Sequence, residues 1–157
     1  MPAKRLKEYL DNNHIKYVTI IHSVAYTAQE IAASAHVPGR ELAKTVMVKV
    51  DGKIAMAVMP ASYNVDFNQL QEILGANDVE LATEYEFMDM FPGCDVGAMP
   101  PFGNLYDMEV YVASPLADNK EIAFNSGSHR ELVKLSYEDF ARIVKPKVAS
   151  FCAKLLA

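Results

Sequence analysis

Long apolar runs are missing from this chain of 157 residues. No window reaches the roughly 18 uninterrupted apolar residues that a membrane-spanning helix needs. The opening stretch, Met1-Pro2-Ala3-Lys4-Arg5-Leu6-Lys7-Glu8, lacks the apolar segment of a signal peptide, which points to the cytoplasm. Cysteine is scarce too: Cys94 and Cys152 stand far apart with no CxxC partner, so a disulfide framework and CxxC redox or zinc chemistry are excluded and both read as ordinary thiols. Positive charge is short, with a formal net charge of −5. Indiscriminate coating of nucleic acid rests on surplus Lys and Arg neutralising phosphates, so that class is disfavoured. No GxxxxGK or GxGxxG loop occurs, leaving nucleoside triphosphates and dinucleotides without support. His14, His22, His36 and His129 show neither HxH nor HExxH spacing, so neither metal nor cofactor is expected. Repeats and low-complexity segments are absent.

What is present is the composition of an ordinary globular protein, 51% hydrophobic and 22% charged, long enough for one buried core and too short for two. A single domain over 1–157 follows. Leu6 and Leu10, four apart among charges, predict a short amphipathic helix from Pro2 to Asn12. Residues 15–22, rich in β-branched and aromatic types, predict a strand, and Thr27-Ala28-Gln29-Glu30 a capping box that opens a helix through Ala35. Asp66 is placed to cap a helix through Leu74, with Phe67, Leu70, Ile73 and Leu74 on one face and Gly75 as its stop. Residues 83–90 predict a short helix halted by Pro92-Gly93. Strands are expected at 108–113, 120–125 and 131–135, a helix at 136–144 and a last helical segment at 148–156. Without regular βαβ alternation the expected class is α+β, a single domain with a mixed, largely antiparallel, curled sheet and peripheral helices.

Residues 42–50 alternate at a period of two, and Asp51-Gly52 is a two-residue hairpin turn before the returning strand 53–59. Alternation puts Lys44 on the face of Leu42, Val46, Val48 and Val50, with Lys49 on the other. Pairing across the turn sets Ala55 beside Val48 and Ala57 beside Val46. Small residues next to a lysine on an apolar face imply a concavity, where an ammonium is costly to desolvate unless an anion or several acceptors meet it. A bound anionic or ester-bearing ligand fits that site; a lysine near a strand end that snorkels to water fits it as well. Arg40, Lys44, Lys49, Arg130 and Lys134 form a basic patch if their strands are neighbours. The methionines Met47, Met56, Met59, Met88 and Met90 read as filler of an irregular core.

A second constellation lies at Asp95-Val96-Gly97-Ala98-Met99-Pro100-Pro101-Phe102-Gly103-Asn104, where prolines fix the backbone path and glycines let a ligand approach main-chain N–H groups. Taken with Val37-Pro38-Gly39-Arg40-Glu41-Leu42-Ala43-Lys44-Thr45, with Gly97-Ala98-Met99-Pro100-Pro101 as a GxxxP loop, and with Phe124-Asn125-Ser126-Gly127-Ser128-His129, the chain resembles the YbaK and prolyl-tRNA-synthetase-associated editing domain family. The resemblance covers nearly the whole sequence. It implies a mixed sheet with peripheral helices and a free-standing aminoacyl-tRNA deacylase acting in trans, with aminoacyl-tRNA as substrate and prolyl-tRNA synthetase as a partner. It further implies Lys44 as the functional lysine, and Gly97, Pro101, Phe102, Gly103, Gly127, Ser128 and His129 as substrate-binding positions.

An aminoacyl-tRNA is an ester already activated toward water, so positioning and charge stabilisation matter more than a strong nucleophile. Lys44 is expected to bind the terminal phosphate or the ester region, with main-chain N–H groups around Gly97 and Gly103 on the developing oxyanion. The pocket is expected to have Ala55 or Ala57 in its wall and His129 at its side, a second sieve by size. Read without the resemblance, His129 is a solvent-facing strand residue or a core histidine. Ser128-His129 lacks a GxSxG elbow, and neighbours on an extended chain point apart, so a serine hydrolase is disfavoured. A non-catalytic module that binds tRNA or a synthetase is the competing reading.

Overall fold

The computed structural model describes residues 2–22, 37–95 and 97–154; the expected helix opening at Thr27 lies outside them. Among the described residues ten strands form three sheets. Strands β1 (Tyr17–Ile21), β8 (Glu131–Ser136) and β7 (Glu121–Asn125) make an antiparallel sheet in the order β1-β8-β7. A five-stranded sheet runs β5-β2-β3-β6-β9, from β5 (Val79–Leu81) through β2 (Ala43–Val50), β3 (Lys53–Pro60) and β6 (Val110–Ala113) to β9 (Lys147–Ala149). Its β3-β6 and β6-β9 pairs are parallel and the rest antiparallel. The third sheet pairs β4 (Tyr63–Val65) with β10 (Cys152–Lys154). This is the mixed, largely antiparallel α+β architecture that the sequence implies.

Period-two alternation explains the layering. One face of the five-stranded sheet offers Met47, Met56, Val58, Val110 and Val112 to a core completed by Ile122, Phe124, Val133 and Leu135 of the three-stranded sheet. Helix α1 (Pro2–Asn12) adds Leu6 and Leu10, both fully buried, and α5 (Tyr137–Val144), capped by Ser136, adds Phe140. The other face offers Val48, Ala55, Ala57, Met59, Tyr111 and Ala113 to Leu70 of α2 (Phe67–Leu74) and to Phe151. Asp66 accepts from the Gln69 N–H and Gly75 closes α2 in the left-handed region, as the sequence indicates, although Ile73 is 48% exposed rather than on the buried face. α3 (Glu84–Phe87) and α4 (Ser114–Ala117) are single turns.

The 2-3 hairpin has the expected register, Val46 opposite Ala57 and Val48 opposite Ala55, with Asp51 and Gly52 both at positive φ in the turn. One expectation fails here. The expected helix at 148–156 is two short strands, because β9 finds the free edge of β6 and β10 that of β4, and pairing there satisfies the backbone. Ala55 and Ala57 are core, and their small side chains admit Leu70, Tyr111 and Phe151; Ala55 also lines a cavity with Lys53 and Tyr111. Of the methionines, Met47, Met56 and Met59 are buried, whereas Met88 and Met90 are exposed. No helix among the described residues is long and apolar enough to cross a membrane.

Candidate functional site

Lys44 lies near the start of β2, opposite Met59 of β3 and on the face shared with Val46 and Val48. Its stem is half-buried, and Nζ donates to Asn64 Oδ1 of β4 at 3.0 Å. Burial holds its pKa below the ordinary 10.5, since the neutral amine is easier to desolvate than the ammonium. The five cations expected as a patch do not form one. Lys49 is on the opposite face, paired with Glu80 at 3.1 Å and Glu86 at 2.6 Å; Lys134 meets Glu41 and Glu121, and Arg40 meets Glu41.

A single parallel bridge, Leu42 to Ala123, joins β2 to β7, and the Ala123 N–H donates to the Glu41 carbonyl at 2.9 Å. Because the pairing is parallel, Lys44 and Asn125 each lie two residues beyond it, toward the turn at 126–130. Leu42, Ala61, Ala123, Leu132 and Val37 form a small apolar cluster that fastens the strand of Lys44 to the β7-β8 hairpin. That hairpin carries Gly127, Ser128 and His129 in its connection. The Asp95 N–H donates to the Gly127 carbonyl at 2.8 Å, and Asp95 Oδ2 accepts from the His129 N–H at 3.3 Å. Gly97, exposed and at φ 84°, faces the imidazole: a Cβ built on it lies 3.7 Å from His129 Cε1. The structure thus unites Gly97, Gly127, Ser128 and His129, with Ser128 Oγ accepting the Arg130 N–H.

The later part of the proline loop turns inward. Pro101 is buried, and Phe102 is wholly buried among Tyr9, Phe124 and Phe140, with ring centroids 5.3 Å from Phe124 and 5.4 Å from Phe140. Gly103 is packed so closely that a Cβ would stand 2.5 Å from the Met108 carbonyl oxygen. Phe102 and Gly103 therefore anchor the loop in the core. An aromatic residue between Pro and Gly reads equally as a contact or an anchor until its neighbours are known.

Two residues of this region, Asn64 and Asp95, escape the sequence reading. Asn64 offers no motif and meets Lys44 because β4 turns back beside β3, whose Met59 lies opposite Lys44. Asp95, two residues before Gly97, was visible as part of the loop but not as its tie to residues 127–129. His22, buried, donates its main-chain N–H to the Arg130 carbonyl at 2.9 Å, beside that same turn. Two cavities lined by described residues border the proline loop, one of about 250 Å³ around Phe87, Met88, Phe91, Cys94 and Met99, the other of about 580 Å³ around Lys53, Ala55, Asn104, Glu109 and Tyr111. No cluster of three His, Cys, Asp or Glu suited to a metal ion occurs among the described residues.

Residues 22–143 match the aminoacyl-tRNA editing domain family, and the chain belongs to it. Proline–tRNA ligase of Staphylococcus aureus (strain Newman) is 33% identical over 94 residues, 59% of this chain and 15% of that protein. Proline–tRNA ligase of Bacillus cytotoxicus is 29% identical over 99 residues, 63% of this chain and 16% of that protein. The chain thus matches about one-sixth of the length of these ligases. Among solved structures, a hypothetical protein superposes with a TM-score of 0.84 at 22% identity, covering 95% of this chain and 99% of that one. A protein described as a candidate trans-editing enzyme for prolyl tRNA synthetase gives 0.82 at 19% identity, with 97% of each chain covered. At such identities the superpositions establish the fold.

Proposed function

We propose that this chain is a single-domain deacylase that acts in trans in the cytoplasm, hydrolysing the ester of mischarged aminoacyl-tRNA, with tRNA-Pro bearing a small non-cognate amino acid as its substrate. Prolyl-tRNA synthetase, whose relatives share the domain, is the partner that supplies the error. The observation that carries this reading is Lys44, a half-buried ammonium held by a neutral amide on a strand that is bridged to the hairpin carrying His129. An ammonium so placed gains most from an anionic or ester oxygen.

In the proposed reaction Lys44 holds the terminal phosphate or the ester of the substrate, and the main chain at Gly97 receives the charge that develops on the reacting carbonyl. Water adds to that carbonyl, the carbon–oxygen bond to the ribose breaks, and the free amino acid and the tRNA hydroxyl leave. Preorganised donors in such a site typically contribute 10²–10³ in rate, about 3–4 kcal/mol. His129, beside Gly97, stands where it limits the size of the bound side chain, in keeping with a second sieve.

The experiment is deacylation of labelled tRNA-Pro charged with alanine, cysteine, serine or proline, under single-turnover conditions, by wild type and Lys44→Ala. Loss of one non-cognate ester with prolyl-tRNA spared, and a fall of at least 100-fold in the variant, is the expected result. Saturable tRNA binding without ester loss would make the chain a binding module instead. Unchanged turnover in folded Lys44→Ala would remove the lysine from the mechanism.

A further inference from the structure

Lys44 differs from the other half-buried lysines in what it meets. Lys7 is ion-paired with Glu131, Lys49 with Glu80 and Glu86, and Lys134 with Glu41 and Glu121, while among the described residues Lys44 has no carboxylate within ion-pair distance. Its partner is the Asn64 amide. Lysine has three donors and no acceptor, so the amide must present its carbonyl oxygen, not its NH2 group. The backbone of Asn64 is set in turn by pairing with Ala153 of β10, and its side chain is exposed, so its role is not core packing.

We propose that Asn64 is a positioning residue for Lys44: its carbonyl aims the ammonium along one direction while leaving the positive charge unspent for the substrate. A carboxylate in the same place would aim the lysine equally well and cancel its charge. An amide does the first without the second, and it makes the placement of the site lysine depend on the β4-β10 pair. This inference rests on the reading that Lys44 meets substrate oxygen.

Asn64→Asp and Asn64→Ala separate aiming from charge. The Asp side chain has nearly the shape of Asn and keeps the 3.0 Å contact, now as an ion pair. The probe is an amide-linked aminoacyl-adenosine carrying a 5′-phosphate, which cannot be cleaved, alongside turnover of mischarged tRNA-Pro, the proposed ester substrate. Asn64→Ala is expected to lower kcat about 10-fold with KM little changed, because the charge persists but is no longer aimed. Asn64→Asp is expected to weaken analogue binding at least 10-fold more than Asn64→Ala does, and to raise the Lys44 titration followed through its side-chain carbon resonance. A merely structural asparagine would order the variants the other way, the near-isosteric Asp being the milder. Analogue binding by Asn64→Asp equal to or tighter than by Asn64→Ala overturns the inference while Lys44-dependent turnover stands. Turnover indifferent to Lys44→Ala removes both.

Discussion

Lys44 bears a desolvation cost that neighbouring lysines offset with carboxylates. Burial lowers its pKa from the ordinary 10.5, so between the folded and unfolded values the unfolded chain binds the extra proton. Stability attributable to this residue is therefore lowest below the folded pKa, where the ammonium is fully charged, and recovers as pH rises toward 10.5. Lys44→Met removes that cost and keeps the stem. We expect its melting temperature at pH 7 to equal or exceed that of wild type, with the gap closing as pH approaches 10.5, measured by thermal unfolding across pH. A lower melting temperature at neutral pH would mean that the Asn64 bond outweighs desolvation. A stabilised but inactive variant is the usual sign of a residue kept for function.

At the scale of elements, the hairpin and its neighbours show how sequence patterns fix some contacts and leave others open. The alternation of 42–50, the Asp51-Gly52 turn and the Asp66 cap were legible because each depends on residues within a few positions. The 83–90 segment was legible as well, and its single turn is tied to the sheet by Glu86, which accepts from Thr83 N–H and Oγ1 and from Lys49. The Lys49 bond first, and the Thr83 bonds next, hold the Glu86 carboxyl down at about 2. A depressed carboxyl contributes its stability above the unfolded value of 4.5 and loses it as pH falls toward 2. Wild type is expected to lose stability more steeply than Glu86→Gln between pH 4.5 and 2, read from urea midpoints at stepped pH; parallel curves would show that the ties are not maintained in solution. The helix expected at 148–156 was not legible, because a short apolar run fits a buried helix or a strand, and only the open edges of β4 and β6 choose between them.

For the whole molecule, the C-terminal strands close the structure over the second core. Phe151 is fully buried among Leu70, Tyr111 and Met59, and its carbonyl accepts the Asp66 N–H at 2.7 Å, linking the chain end to the start of α2. Phe151→Ala is expected to cost about 3–5 kcal/mol in denaturant unfolding, the usual range for an aromatic removed from a core. A loss below about 1 kcal/mol would mean that the segment is not packed as described. Because Asn64 pairs with Ala153 next to this anchor, the same substitution is expected to reduce deacylation at temperatures where the rest of the sheet remains folded.

The sequence by itself determined the α+β class, the β2-β3 hairpin and its register, the cap of α2, and the family to which the chain belongs. Those depend on local periodicity, on turn chemistry and on motifs read in order. Tertiary structure alone decided that Phe102 and Gly103 anchor the proline loop in the core, since whether a loop residue faces ligand or core depends on what Tyr9, Phe124 and Phe140 place behind it. It also decided that Ala55 and Ala57 make room for Phe151 and Leu70, that Asp95 ties two turns 30 residues apart in sequence, and that Asn64 meets Lys44. Each is a contact between segments distant in the chain, and no local propensity encodes which distant segments meet.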